Sequence, residues 1–457
     1  MKNTAISGVA LVGVLVLVLA TSHRALDRDV DSLAVAAPGP TSPVTSTEEG
    51  SQGFLYGRVT TDDGTAYVGR LRFGRDEEAF WGDYFNGSKG DNPWAAHSPA
   101  GQAEKSAPFT IFGFEMPSWG RQTEFGRPFM ARLGDITRIE AHGRQVRVTL
   151  KSGTVFDLDR MAASDFDDGV RVWDDKGGVV ELASWAGGLP PPARVRIRVI
   201  ELLPTPRLAA VPTRLHGTVR TRHGDFSGFV QWDRQYSVGV DELRGRAADG
   251  ARSIRFETIR SIARRSDDSA LVTLRDGREV ELSGTRAVGR DNRGVYVDDL
   301  RYGRVLVSWG AFERIDFSAG GSGPAYSDFA PGRPLAGSVT TRDGRRLSGR
   351  LAYDLDESET TETLDAPSRG VDYTIPFGVI ASISPDGRDE RGLRRAEVTL
   401  HGGERLHLER AGDLGAENAG MLVFVDGRER PEYVEWADVE RVEFNRPPAM
   451  APPSGGR

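Results

Sequence analysis

Residues able to do chemistry are plentiful in this chain, but their spacing follows no known reactive pattern. The seven histidines, His23, His97, His142, His216, His223, His401 and His407, include no His-Glu-x-x-His motif. His401 and His407 fall in one expected hairpin and would face each other, yet a pair without a third ligand makes no zinc site. Ser227-Gly228 and Ser348-Gly349 sit inside strand patterns and lack the nucleophile elbow of a hydrolase. Neither a phosphate-cradling Gly-x-x-x-x-Gly-Lys run nor a dinucleotide fingerprint occurs. The chain has no cysteine, which removes disulfides, thiol nucleophiles and lipid attachment at a cysteine.

Carboxylates recur in three acidic loops: Asp76-Glu77-Glu78 with Asp83, Asp233 with Asp241-Glu242, and Asp354, Asp356-Glu357, Glu359, Glu362 and Asp365. Oxygen-rich loops can hold calcium, but neither these nor Ser164-Asp165-Phe166-Asp167-Asp168-Gly169 has the ligand spacing of an EF-hand loop. Solvated acidic turns are therefore expected, with no metal and no cofactor. Because no carboxylate pair stands out as an acid and a base, an enzyme is the weaker expectation.

Aromatic residues are densest between Gly87 and Phe129, where Trp94, Phe109, Phe112, Phe114, Trp119, Phe125 and Phe129 follow closely on Trp81, Tyr84 and Phe85. Rings give large contact area at low entropic cost, so Trp81, Trp94, Trp119 and Phe114 are the candidate ligand-binding residues. The competing expectation is a flap that buries the same rings as extra core.

The elements that must carry these residues are strands. Leu55-Tyr56-Gly57-Arg58-Val59-Thr60-Thr61-Asp62-Asp63-Gly64 recurs as Leu215…Gly224 and as Leu335…Gly344. Each reads as strand, tight turn and strand, with Asp-Gly supplying the positive φ of the turn in two of them. Val148-Thr149-Leu150, Val272-Thr273-Leu274 and Val398-Thr399-Leu400 open a second hairpin in ungapped register. This predicts three tandem repeats, at 51–203 (with the aromatic insertion 87–129), 213–318 and 333–445. Gly187…Pro192 and the stretch from Ala319 to Pro334 punctuate them.

A shorter period lies within each copy. Ile254…Ile262 has the spacing of Val307…Ile315, and Ile375…Ile383 that of Val434…Val442. The pattern is a strand, an aromatic residue at one helical turn, and another strand, so Trp185, Trp309 and Trp436 are expected as core plugs. These half-units resemble SH3-like and Sm-like barrels, and the Gly-x-Val run followed by Trp232-Asp233 and Asp241 is similar to the first Sm motif. The whole pattern also resembles that of uncharacterised exported bacterial β-repeat proteins. The resemblance implies an all-β fold with each repeat a pair of small barrels, one β-sandwich per repeat being the alternative; it implies no activity.

Lys2 followed by an apolar run from Ala5 to Ala20 reads as an export signal over 1–22, or as an uncleaved anchor. Residues 23–50 and 446–457, rich in Pro, Ser and Gly, read as tether and tail. The net charge of −7 supplies no basic field for nucleic acid. The expectation is a periplasmic or secreted, non-catalytic binding or scaffold module of the cell envelope, whose partner is a protein, peptide or glycan. An envelope hydrolase using carboxylates near the insertion is the alternative.

Overall fold

The computed structural model describes residues 52–446 except 75–76, 91, 98–108, 112–113, 117–126, 143–144, 160–168, 175–176, 183–195, 209–210, 322 and 390. The expected signal, the tether, Trp119, Trp185 and nearly all of the tail lie outside the described residues. Among those described, no helix is long and apolar enough to cross a membrane.

The chain is all-β. Its three large antiparallel sheets start from cross-strand glycine pairs, Gly57 with Gly69, Gly217 with Gly228 and Gly337 with Gly349. A Cβ on Gly57, Gly217 or Gly337 would lie 2.4, 2.6 or 1.9 Å from a carbonyl oxygen of the next strand. Only glycine permits that approach.

The first sheet has the order β11 (Val179–Leu182), β10 (Val170–Trp173), β2 (Ala66–Phe73), β1 (Tyr56–Thr61), β12 (Ile197–Leu202), β7 (Ile136–His142), β8 (Gln145–Leu150), β9 (Val155–Asp159), β3 (Tyr84–Lys89) and β6 (Arg127–Arg132). The short pair β4 (Phe109–Ile111) and β5 (Phe114–Met116) stands apart. In the second sheet the order is β21 (Gly303–Val307), β20 (Val295–Asp299), β14 (Gly224–Trp232), β13 (His216–Thr221), β22 (Phe312–Phe317), β17 (Ile259–Arg264), β18 (Ser269–Leu274), β19 (Glu279–Ser283), β15 (Glu242–Ala247) and β16 (Gly250–Arg255). The third runs β31 (Glu432–Val434), β30 (Met421–Phe424), β24 (Arg346–Ala352), β23 (Ala336–Thr341), β32 (Val439–Phe444), β27 (Ile380–Arg388), β28 (Arg394–Leu400) and β29 (Arg405–Leu408). Its remaining hairpin, β25 (Thr363–Ser368) and β26 (Val371–Pro376), is laid on the second sheet, β26 pairing with β21.

No sheet closes into a barrel among the described residues. Single 3-10 turns at Leu133–Asp135, Phe256–Thr258, Phe377–Val379 and Trp436–Asp438 carry the chain from one strand to the next without a ladder between the two. Each turn drops its first residue into the core: Leu133, Phe256, Phe377 and Trp436 are buried. Trp309 is buried too, stacked on Phe312 at 5.5 Å.

The stretch 319–334 is more than punctuation. Its Tyr326 and Phe329 leave the second sheet and enter the core of the first, against Phe80. The Tyr326 hydroxyl donates to the Ile136 carbonyl at 2.7 Å, and a Cβ on Gly134 would lie 2.4 Å from the Phe329 ring. Tyr326→Phe keeps the ring but strands that buried carbonyl, so it should cost about 1 kcal/mol in a urea titration.

Candidate functional site

In the recurring acidic loops Glu78, Asp83, Asp233, Asp356, Glu359 and Glu362 are buried, contrary to the solvated turns expected. Asp83, Asp241 and Glu362 each accept two backbone N–H groups of their own loop: Glu78 and Ala79 at 2.8 Å, Ser237 and Val238 at 2.9 and 3.1 Å, and Ser358 and Glu359 at 2.6 and 3.0 Å. A carboxylate satisfied in this way shapes the loop, and Glu78, Asp356 and Glu359 of these loops reach a neighbouring sheet, whereas Asp233 stays within its own, paired with Arg286.

Two polar seams result. Between the first and second sheets, the Arg304 guanidinium reaches Asp298 at 3.1 Å and Asp83 at 3.4 Å while lying over the Tyr84 and Tyr296 rings. Burial opposes the charge on Arg304, but Asp298 and Asp83 more than offset it and keep it protonated. Ser237 donates to Glu78 at 3.1 Å, and Arg214 donates to the Trp81 carbonyl at 3.0 Å. Between the first and third sheets, Lys89 Nζ lies 2.6 Å from Asp356 and 2.7 Å from Glu362, and Arg127 also pairs with Asp356. Glu359 accepts from Thr154 and Ser152 in the same seam.

Among the described residues, the predicted Trp81 and Trp94 stand at different seams. Trp94 sits at the first–third seam, edge-on to Phe424 at 5.6 Å. Trp81 sits at the first–second seam, its indole N–H donating to the Asp298 carbonyl at 3.3 Å, with Phe329 and the Arg132 guanidinium beside it. Phe114 lies on β5, and Trp119 lies outside the described residues.

Trp81 borders a cleft of about 480 Å³ where the first sheet, the second sheet and the 319–334 stretch meet. Gly82 makes this approach possible, since its φ is +97° and a Cβ there would stand 1.8 Å from Asp298 Oδ2. The opposite walls are His216, Phe229 and Pro324, with Leu300 at the rim, 73% exposed. His216 packs edge-on to Phe229 at 5.3 Å. Burial, with help from the Arg214 charge, pushes the His216 pKa down, so its ring is neutral near pH 7.

No protein-family model, curated protein or solved structure matches this chain. Its chemistry must be judged from the cleft itself. Asp299 is already saturated, accepting from the Ser227 N–H and from the backbone and guanidinium of Arg301. Burial alone would raise Asp299, but those hydrogen bonds win and hold it below the usual carboxylate range. It is a fixed anion, unsuited to proton transfer near neutrality.

His216 Nδ1 and Ser318 Oγ are 2.9 Å apart, as a nucleophile and base would be. Among the described residues the ring has no hydrogen bond to a carboxylate, and the charge beside it is Arg214, which disfavours the imidazolium a base must become. His401 and His407 do not face each other: His407 is opposite Glu397, and His401 lies in the turn. Among the described residues no three His, Cys, Asp or Glu side chains are placed to hold a metal ion.

Sequence reasoning picked out Trp81 but not its setting. Asp298 is distant in sequence, and nothing in Val297-Asp298-Asp299-Leu300 separates a seam-forming acid from a turn. The available signal was Leu300, an apolar residue between two charged ones at a hairpin tip.

Proposed function

We propose that this chain is a non-catalytic binding or scaffold module of the cell envelope, built from three copies of one β unit that each combine two barrel-like halves. The carrying observation is the use made of charge: the acids that recur from copy to copy, Asp83, Asp241 and Glu362, cap their own loops, and Asp83 and Glu362 also pair with a cation across a seam. The matching strand order of the three sheets supports the three-copy reading. The apolar run after Lys2 supports export. With Trp81, His216, Phe229 and Leu300 on its walls, the cleft has the ring faces and apolar rim that hold a peptide side chain or a sugar ring.

Tryptophan emission of the full chain, titrated with cell-wall glycan fragments and with peptides, tests this. A saturable change is expected for one class. Leu300→Glu, which alters an exposed rim residue, should weaken it about tenfold or more while leaving the melting temperature unchanged. Absence of any saturable change, or one indifferent to Leu300→Glu, would remove the cleft from the account.

A further inference from the structure

The seam between the second and third sheets is a strand ladder. β21 pairs with β26 through Arg304–Thr374, Val305–Tyr373, Leu306–Asp372 and Val307–Val371. If the three copies are equivalent, the reading on which this inference rests, then β11 corresponds to β21 and β16 to β26. Val295 pairs with Val307 as Val170 pairs with Leu182, which aligns Glu181 with Leu306. Ile254-Arg255-Phe256 aligns with Ile375-Pro376-Phe377, which places Ala251 at Asp372.

Yet β11 and β16 do not meet. Among the described strands β11 hydrogen-bonds only to β10, and β16 only to β15. Both are edges, with Glu181 and the run Gly250–Ser253 exposed. An edge left bare is a template for another strand, and proteins commonly block it with proline or a covering segment.

The other large-sheet edges are blocked in that way. β6 contains Pro128 and β25 contains Pro367, while the three-residue β31 follows Pro431. β29 is covered by the end of β25, where Ser368 donates to the His407 carbonyl at 3.1 Å and Glu409 N–H to the Pro367 carbonyl at 2.8 Å. Only β11 and β16 carry neither proline nor cover among the described residues, and they are the two strands corresponding to the ladder the chain already makes.

We propose that the occupant of these edges is a second copy of this chain, β11 of one pairing antiparallel with β16 of the other in the register of β21 and β26. Glu181 then stands opposite Ala251. Made reciprocally, the two ladders give a closed twofold dimer, with each copy using the same pair of edges.

Because the chain has no cysteine, single thiols report this register cleanly. Glu181→Cys and Ala251→Cys each alter an exposed side chain, and residues directly opposite in an antiparallel ladder lie within disulfide reach. Sedimentation of the unmodified full-length chain should show a dimer at micromolar concentration. An equimolar mixture of the two variants with oxidised glutathione should cross-link at least ~10-fold faster than either variant alone, because a formed ladder raises the local thiol concentration.

A monomer at all concentrations would overturn the proposal. So would a dimer in which the mixture cross-links no faster than the single variants. Leu306→Cys with Asp372→Cys in one chain probes the internal ladder. Its failure to close would remove the ladder whose register this proposal copies, and the proposal with it, whereas its success with no intermolecular cross-link would bring down this proposal alone.

Discussion

Lys89→Met will destabilise the chain by about 3–5 kcal/mol, the cost of leaving the buried Glu362 carboxylate without its cation. Lys89 is 7% exposed and sits between Asp356 and Glu362, themselves 8% exposed. Burial works against its charge, but Glu362 and Asp356 outweigh it and hold the ammonium protonated. Methionine fills the same space without the charge. Arg127 then remains for Asp356, while Glu362 keeps only its loop N–H donors. Adding Glu362→Gln to Lys89→Met should recover part of the loss, since a neutral amide needs no counter-ion and Asp356 keeps Arg127. Chemical denaturation midpoints of the three proteins measure both effects.

Stability will also fall as pH rises from about 4 to about 7, through the acids behind that seam. Burial pushes Asp354 up to about 7; an N–H from Ala419 opposes the shift and the nearby Asp356 charge adds to it. Asp413 rises to about 8, again chiefly by burial, with Asp365 adding to it. The sign follows from comparing the two states. Below the unfolded value near 3.8 both hold the proton, so Asp354 has no pH effect there. Above it the unfolded chain releases the proton while the folded chain retains it, and stability is lost until pH passes about 7.

Asp354→Asn removes that dependence while keeping an oxygen for the Ala419 N–H. It should match the parent near pH 4 and exceed it by up to about 4 kcal/mol at pH 8. A difference that does not grow with pH would mean the carboxyl is ionised in the folded chain.

These predictions concern residues whose types were visible in the sequence and whose surroundings were not. The strands were legible because Gly57, Gly217 and Gly337 stand at one place in a shared pattern, and the buried Phe256, Phe377, Trp309 and Trp436 were legible from the spacing around them. Barrel closure was not, because it depends on pairing between strands distant in sequence, which a strand's own residues do not encode.

The acidic loops misled for a similar reason. Asp83 and Glu362 look like solvated turn residues until the N–H groups they cap are placed. Tyr326 and Phe329 were passed over because the surrounding glycines and prolines mark a linker, and only tertiary packing reveals that this linker completes another sheet's core. Trp81 was chosen on ring type alone, and that was the extent of what its neighbourhood in sequence offered.

Arg304, Lys89, the β21–β26 ladder and the Tyr326–Phe329 strap lock the three sheets into one scaffold. Differential scanning calorimetry of the full-length chain tests this most directly. One transition, with calorimetric and van't Hoff enthalpies in agreement, is the predicted result, and Lys89→Met should move it down as a whole. Two or three separable transitions, of which Lys89→Met shifts only one, would mean the sheets unfold independently and would contradict the scaffold.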